Sequence, residues 1–319
     1  AEIIDYWVIG LDDQNTDNSP DVIKAHVGHI PGEIVTVHFD GMGPTWTKLA
    51  EKAWEAFPEG THGIIADADY APARRMLGGN FDKMDLDIGA NKILYNLWSD
   101  AAAVSDVRRM DWIFRNMPGV RIERRVHQTL RVPPFAGSGG GITVGESKTM
   151  HIHELGGGYQ LRTMSGRGRN YRYIKLLMQD LEELPDDPRT LYYIADSHRG
   201  VFMAGYDTSA WVDAPKDACL TARTMRFVSF TGNITASDWD HLREAVKWYK
   251  RRLEVPAPNS FEETYFTYIS IAELSERFLG DFAQGFEYYQ KAFEFDPQRA
   301  DPMFYIGQRK RLLGNPQEA

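Results

Sequence analysis

The chain contains a single cysteine, Cys219, in 319 residues. That excludes an internal disulfide and a zinc centre built from several thiolates, and it permits a reducing compartment. Long apolar runs are also missing: none reaches the roughly 18 residues needed to cross a bilayer. The opening residues, Ala1-Glu2-Ile3-Ile4-Asp5, lack the basic and apolar blocks of a secretory signal. These absences predict a soluble, cytoplasmic protein with no membrane span. Positive charge is in deficit, with 36 Lys and Arg against 45 Asp and Glu and a net charge of −9. Such a chain has no general attraction for phosphate polymers or anionic membranes. Two local stretches run against that balance: Arg121, Arg124 and Arg125, and the segment Arg162 to Arg172. They read as solvated or helix-flanking charge, or, for some members, as contacts to an anionic donor.

What is present suits two compact domains, because 43% hydrophobic and 25% charged residues are ordinary globular proportions. Tyr6 to Leu11 reads as a buried strand, Ser19 to Val27 as a helix opened by Ser-Pro, and Glu33 to His38 as a second strand. Thr45 to Phe57 follows as a helix with Leu49, Ala50, Ala53 and Trp54 on one face. Gly63 to Ala66 is then a third strand, running directly into Asp67-Ala68-Asp69. This alternation predicts an α/β domain with a largely parallel sheet, whose ligands sit at the carboxyl ends of the strands. From Gly78 to Gly158 the pattern loosens into short strands and Gly-rich loops. The runs at 137–141 and 156–158 lack the Lys-Ser/Thr ending of a phosphate loop and read as mobile loops.

Beyond Tyr171 the pattern is helical and repetitive. Gly280 follows Phe278-Leu279 and Gly314 follows Leu312-Leu313, which places the two glycines one tetratricopeptide period of 34 residues apart. Gly285, Tyr289, Ala292 and Pro297 occupy the small and bulky positions between them, with glycine at 285 where alanine is usual. An earlier unit pairs Leu191 to Ala195 with Ala245 to Tyr249 around an insertion near 201–237. Such units bury their apolar faces only by stacking. Tyr193, Trp248 and Tyr249 are expected in the core; Phe202, Tyr206 and Trp211 are expected to meet a partner. An irregular helical bundle is the plainer alternative.

Two acidic clusters follow apolar strands. Asp67 and Asp69, one residue apart, can approach a hard divalent cation that bridges two phosphates. Asp-x-Asp alone is a weak motif, and a solvated turn or a helix cap is its ordinary alternative. Asp12 and Asp13, in Leu11-Asp12-Asp13-Gln14-Asn15-Thr16-Asp17-Asn18-Ser19-Pro20, can accept hydrogen bonds from a base or ribose. Asp17 is expected to be structural, and Asn18 or Ser19 to cap the next helix.

The pair of clusters, Asp-Asp-x-x-Thr-Asp-Asn-Ser at 12–19 and Asp-Ala-Asp at 67–69, resembles the family 2 glycosyltransferases. Phe39 to Pro44 resembles the turn before that family's donor-site helix, with Lys48 near its basic position. Trp112-Ile113-Phe114-Arg115-Asn116 and Val126-His127-Gln128 resemble segments of a subgroup that continues into tetratricopeptide repeats. The resemblance implies a GT-A-type nucleotide-sugar-binding domain over 1–170 and tetratricopeptide-like helices over 171–319. The family's pattern opens one strand earlier than Tyr6, so the first strand is expected to be missing from this sequence. It further implies an inverting, Mn2+- or Mg2+-dependent transfer from a nucleotide sugar, a UDP-sugar first among the candidates. Asp12, Asp13, Lys48 and Asp67 would bind the donor, and Asp67, Asp69 and His153 the metal. Gln128 replaces the family's glutamate and cannot act as a carboxylate base, which leaves the base open; Asp111, in the acceptor half beside Trp112, a ring suited to sugar stacking, is the first candidate. Pairing of Asp111 with Arg108, Arg109 or Arg115 is the ordinary alternative. The acceptor is open among protein, glycan, lipid-linked precursor and modified nucleic acid, and the helical repeats are expected to serve acceptor recognition or homo-oligomer assembly. Two rival functions are a haloacid-dehalogenase-like phosphatase, which also places Asp-x-Asp after a strand, and a non-catalytic nucleotide- or glycan-binding scaffold.

Overall fold

A computed structural model describes residues 4–68, 70–72, 86–87, 89–99, 106–135, 140–154, 165–205, 234–258 and 260–312. The chain divides into two compact units, Ala1–Thr163 and Met164–Ala319. The first mixes strands and helices, and the second is helical. Among the described residues, no helix is long and apolar enough to cross a membrane.

In the first unit, β1 (Trp7–Asp12) and β2 (Gly32–Val37) pair in parallel, joined by helix α1 (Ser19–Val27). The Trp7 indole fixes the start of this pair by donating to the carbonyls of Val27 and Ile30. Asp17 accepts the Ser19 N–H and the Asn15 amide, and the Ser19 side chain, then Asn15, then the Ser19 N–H pull its pKa down, so it orders the turn into α1 as a structural residue. Asn18 makes no capping bond through its side chain.

Helix α2 (Met42–Ala56) begins at Gly41, whose φ of 92° suits glycine and whose hydrogen faces Arg125. A Cβ there would lie 2.4 Å from the Arg125 Cβ. The helix turns Leu49 toward Gly10 and Val37, and Ala50 toward the main core.

That core surrounds a five-stranded sheet made of β3 (His62–Ile64), β4 (Tyr70–Pro72), β5 (Lys92–Ser99), β6 (Asp106–Arg115) and a long strand, Val144–Glu154. Between β6 and the long strand, β7 (Arg121–Glu123) and β8 (Thr129–Arg131) form a separate antiparallel pair, so the long strand is β9. The sheet order is β3-β6-β5-β9-β4. Only β5 and β9 run parallel within it; β3–β6, β5–β6 and β4–β9 are antiparallel. The expectation of a largely parallel sheet is therefore wrong. The cause is connection length: six residues between Ser99 and Asp106 close a hairpin, whereas a parallel crossover needs a dozen or more. Alternation along β5 sends Ile93, Tyr95 and Leu97 into the core, each at most 1% exposed.

The second unit packs α3 (Gly166–Glu183), α4 (Pro188–Ala204), α5 (Ala236–Glu254), α6 (Phe261–Arg277), α7 (Phe282–Phe295) and α8 (Ala300–Leu312), each against its chain neighbour. Gly280, at φ 69°, makes the turn between α6 and α7. Gly285 is glycine because α7 approaches α6 too closely for alanine: a Cβ would sit 2.8 Å from the Glu276 Cβ. Tyr249 is fully buried, while Tyr193 and Trp248 are half-buried. Phe202 corrects an expectation. It is fully buried at the end of α4, against Trp239 and Phe278, so it serves the core and presents no surface to a partner. Tyr206 and Trp211 lie outside the described residues, as does Gly314.

Candidate functional site

The first acidic cluster lies at the carboxyl ends of the parallel pair. Asp12 closes β1 and accepts the Gln14 N–H at 2.8 Å, while Asp13 meets His38 at 3.0 Å across the pair. Both carboxylates belong to exposed residues. Lys48 is exposed on α2, and no contact among the described residues ties it to either acidic cluster.

The second cluster is built by the way the chain crosses the main sheet. β3 ends on one edge and β4 begins on the opposite edge, only six residues later. Ile65 still donates to the Trp112 carbonyl of β6, and the Asp67 carbonyl accepts the Tyr70 N–H as the chain turns into β4. Asp67, half-buried, thereby follows by two residues Ile65, which is bonded at Trp112, where β5 and β6 are irregular.

The irregularity is a bulge. Ile93 pairs with Ile113 and Tyr95 with Met110, so β6 spends two residues, Asp111 and Trp112, opposite Leu94 alone. A bulge re-aims side chains locally, and such features concentrate beside functional sites. Here Asp111 turns to Lys92, whose ammonium lies 2.9 Å from Oδ2 and also donates to the Leu130 carbonyl. The lysine is 13% exposed and the aspartate 42%, so the pair sits at the lip of the site. Among the described residues the partner of Asp111 is this lysine; Arg109 pairs with Glu146, Arg115 stacks on Phe135, and the side chain of Arg108 lies outside the described residues. Trp112 is also reassigned. At 8% exposure and packed edge-on against Trp46, it is a core residue with no face for a sugar.

Near these carboxylates lies Tyr95, fully buried, with a hydroxyl that has no hydrogen-bond partner among the described residues. Burial raises its pKa most, and the fields of Tyr70, Asp111 and Asp67 raise it further. It therefore stays a proton donor. Tyr70, Asp111 and Asp67 are thus near enough for their charges to act on this phenol. An unsatisfied buried hydroxyl asks for a ligand, water or ion to complete it. Sequence reasoning passed over Tyr95, because it occupies an inward position of an alternating strand and reads as core.

The long strand brings the last candidate near. β9 pairs with β4 so that His153 stands opposite Ala71, and with β5 so that His153 stands opposite Trp98. The backbone of His153 is thus beside a residue two positions after Asp69. Asp69 and the Gly-rich stretches at 136–139 and 155–158 fall outside the described residues, and so does the side chain of His153. Among the described residues, no group of three or more His, Cys, Asp or Glu is placed to hold a metal.

The basic stretches have structural work. Arg125 is 9% exposed and bonds Asp40 at 3.2 Å, and Arg124 bonds the Thr129 hydroxyl at 2.8 Å. Arg124 and His127 hold φ of 73° and 53°, an uncommon conformation for residues with a Cβ. Their turn between β7 and β8 is locked because the Arg124 and Arg125 carbonyls accept the Gly43 and Met42 N–H groups at the start of α2. In the second unit Arg167 binds the buried Asp238. No protein-family model matches the chain, and comparison with curated proteins finds no match.

Proposed function

We propose that the protein is a divalent-metal-dependent, inverting glycosyltransferase, with a GT-A-type domain that takes a nucleotide sugar and a tetratricopeptide-like array that engages the acceptor or a second copy. The observation that supports this reading is convergence. Asp67 and Asp111, from two segments, act on the Tyr95 hydroxyl of a third, which has no hydrogen-bond partner among the described residues, and β9 carries the His153 backbone beside β4.

Carboxylates suit Mn2+ or Mg2+, since both take oxygen ligands, and the charge of Asp67 acts on a buried hydroxyl that has no partner among the described residues. Asp67, Asp69 and His153 would hold the ion, which would stabilise the charge growing on the departing diphosphate. Tyr95, kept protonated, donates a hydrogen bond and does not serve as a base. Lys92 engages Oδ2 of Asp111 and fixes the carboxylate, leaving Oδ1 to accept the proton of an acceptor hydroxyl. Asp12 and Asp13, at the ends of the parallel pair, are the residues for the nucleoside.

The reading is tested by screening nucleotide sugars, UDP-sugars first, for hydrolysis and for a thermal shift with and without Mn2+. At least one donor should be stabilising and slowly hydrolysed, with both effects removed by chelator. Absence of any nucleotide-sugar binding across the screen overturns it.

A further inference from the structure

The helical unit holds a pair of histidines that the proposed transfer reaction does not use. His198 on α4 and His241 on α5 bring their Nδ1 atoms to 2.8 Å of each other, with ring centroids 4.9 Å apart. Both residues are half-buried. The helices that carry them pack along their length through Ala195, Phe202, Leu242 and Ala245, so the two rings are held by backbone positions that do not depend on one another's side chains. Tyr171 of α3 packs edge-on against His241, with centroids 5.2 Å apart, and limits how that ring can turn.

Burial pushes the pKa of His198 down to about 4, and the neighbouring His241 adds to that; burial also lowers His241, followed by Arg167. Glu244 opposes the shift at both rings, Asp240 at His241 alone, and Lys247 reinforces it at His198. Near neutral pH both rings are uncharged, and each offers a lone pair on one nitrogen. A single shared proton satisfies two such nitrogens, but so does a metal ion. With metal–nitrogen bonds of about 2.0–2.1 Å, two ligands at a right angle lie about 2.9 Å apart, close to the 2.8 Å found here.

We propose that His198 and His241 form a binding site for a divalent transition ion that takes imidazole ligands at right angles, Ni2+ or Cu2+. The ion takes both Nδ1 atoms in adjacent positions and water in the others, because no third His, Cys, Asp or Glu among the described residues completes a cluster. It joins α4 to α5 and stabilises the helical unit by mass action. Imidazole softness separates this site from the oxygen-rich one around Asp67, which suits Mg2+ or Mn2+.

The test uses the full chain at pH 7.5 with one equivalent of Cu2+, read by electron paramagnetic resonance. The expected spectrum is axial, with superhyperfine splitting from two nitrogens. It should be lost in a His198→Gln/His241→Gln variant and retained in Asp67→Ala. Each single histidine variant should bind Cu2+ at least tenfold more weakly, with helical circular dichroism as the check on folding. A wild-type spectrum showing one nitrogen or none overturns the proposal without recourse to any variant. A two-nitrogen spectrum that survives in the folded double variant assigns the ion elsewhere and overturns it as well.

Discussion

The two compact units set their acids in different surroundings. In the helical unit, Asp238 and Glu276 are each met by an arginine from another helix, Arg167 and Arg309. Asp238 also closes a capping box with Thr235 at the start of α5. In the α/β unit, Asp111 is 42% exposed and paired with Lys92, and its charge and that of half-buried Asp67 act on a buried phenol whose hydroxyl has no partner among the described residues. Like charges beside a desolvated polar group cost stability, and they persist where function needs them. The difference is one of burial: the helical acids are enclosed with their arginines, while Asp111 keeps part of its carboxylate open beside Lys92.

Breaking the comparison at its structural side should give the largest effects. Asp238→Ala removes the partner of Arg167 and the cap of α5, and should cost about 3–5 kcal/mol, read as a lower urea midpoint. Phe202→Ala, at a fully buried position, should cost about 3–5 kcal/mol as well. Gly285→Ala forces α7 away from α6 and should cost about 1–3 kcal/mol. A midpoint unchanged by Asp238→Ala would show that the pair does not hold the unit.

At the other unit the sign changes. Tyr95→Phe deletes an unsatisfied buried hydroxyl and should leave the urea midpoint unchanged or raise it, by up to about 1–3 kcal/mol of relieved desolvation. Transfer, in contrast, should fall. Marked destabilisation by this substitution would mean that the hydroxyl is satisfied internally and serves the fold.

The smallest expected effect is a pH dependence from His62 on β3. Burial lowers its pKa most, Arg115 also lowers it, and the Ala90 carbonyl, accepting from Nε2 at 3.2 Å, and Asp87 oppose the shift. The folded unit keeps this ring neutral, while the unfolded chain gains its proton below about pH 6.5. Stability should therefore fall as pH drops from about 6.5 toward the lowered folded value. Thermal midpoints at pH 7.5 and 5.5 should differ less in His62→Gln than in the parent; an equal difference would remove His62 from the account.

Some of this was legible in the sequence. Helix α1 matches the stretch opened by Ser-Pro, and β1, β2 and α2 fall within a few residues of the apolar runs that announce them. The main sheet was not legible, because its pairing depends on a six-residue hairpin connection and on the bulge at Asp111 and Trp112. The carboxylates could be found as residues, but their meeting place could not, since β3 and β4 sit on opposite edges. Tyr95 gave no signal, being one inward residue in an alternating strand. His198 and His241 lie on two helices separated by the insertion, so no local spacing joins them. Gly285 was visible as an exception to the repeat, and the close approach of Glu276 supplies its reason.

The central claim is that the end of the sheet around Asp67 and Tyr95 binds a hard divalent cation together with a nucleoside diphosphate. The most direct measurement is a Mn2+ titration followed by the loss of the free-ion resonance signal, with and without UDP, in the parent and in Asp67→Ala. The account predicts one tightly held Mn2+ per chain in the presence of UDP, and its loss in the folded variant. Equal Mn2+ binding by parent and variant, or no UDP-dependent binding by the parent, would contradict it.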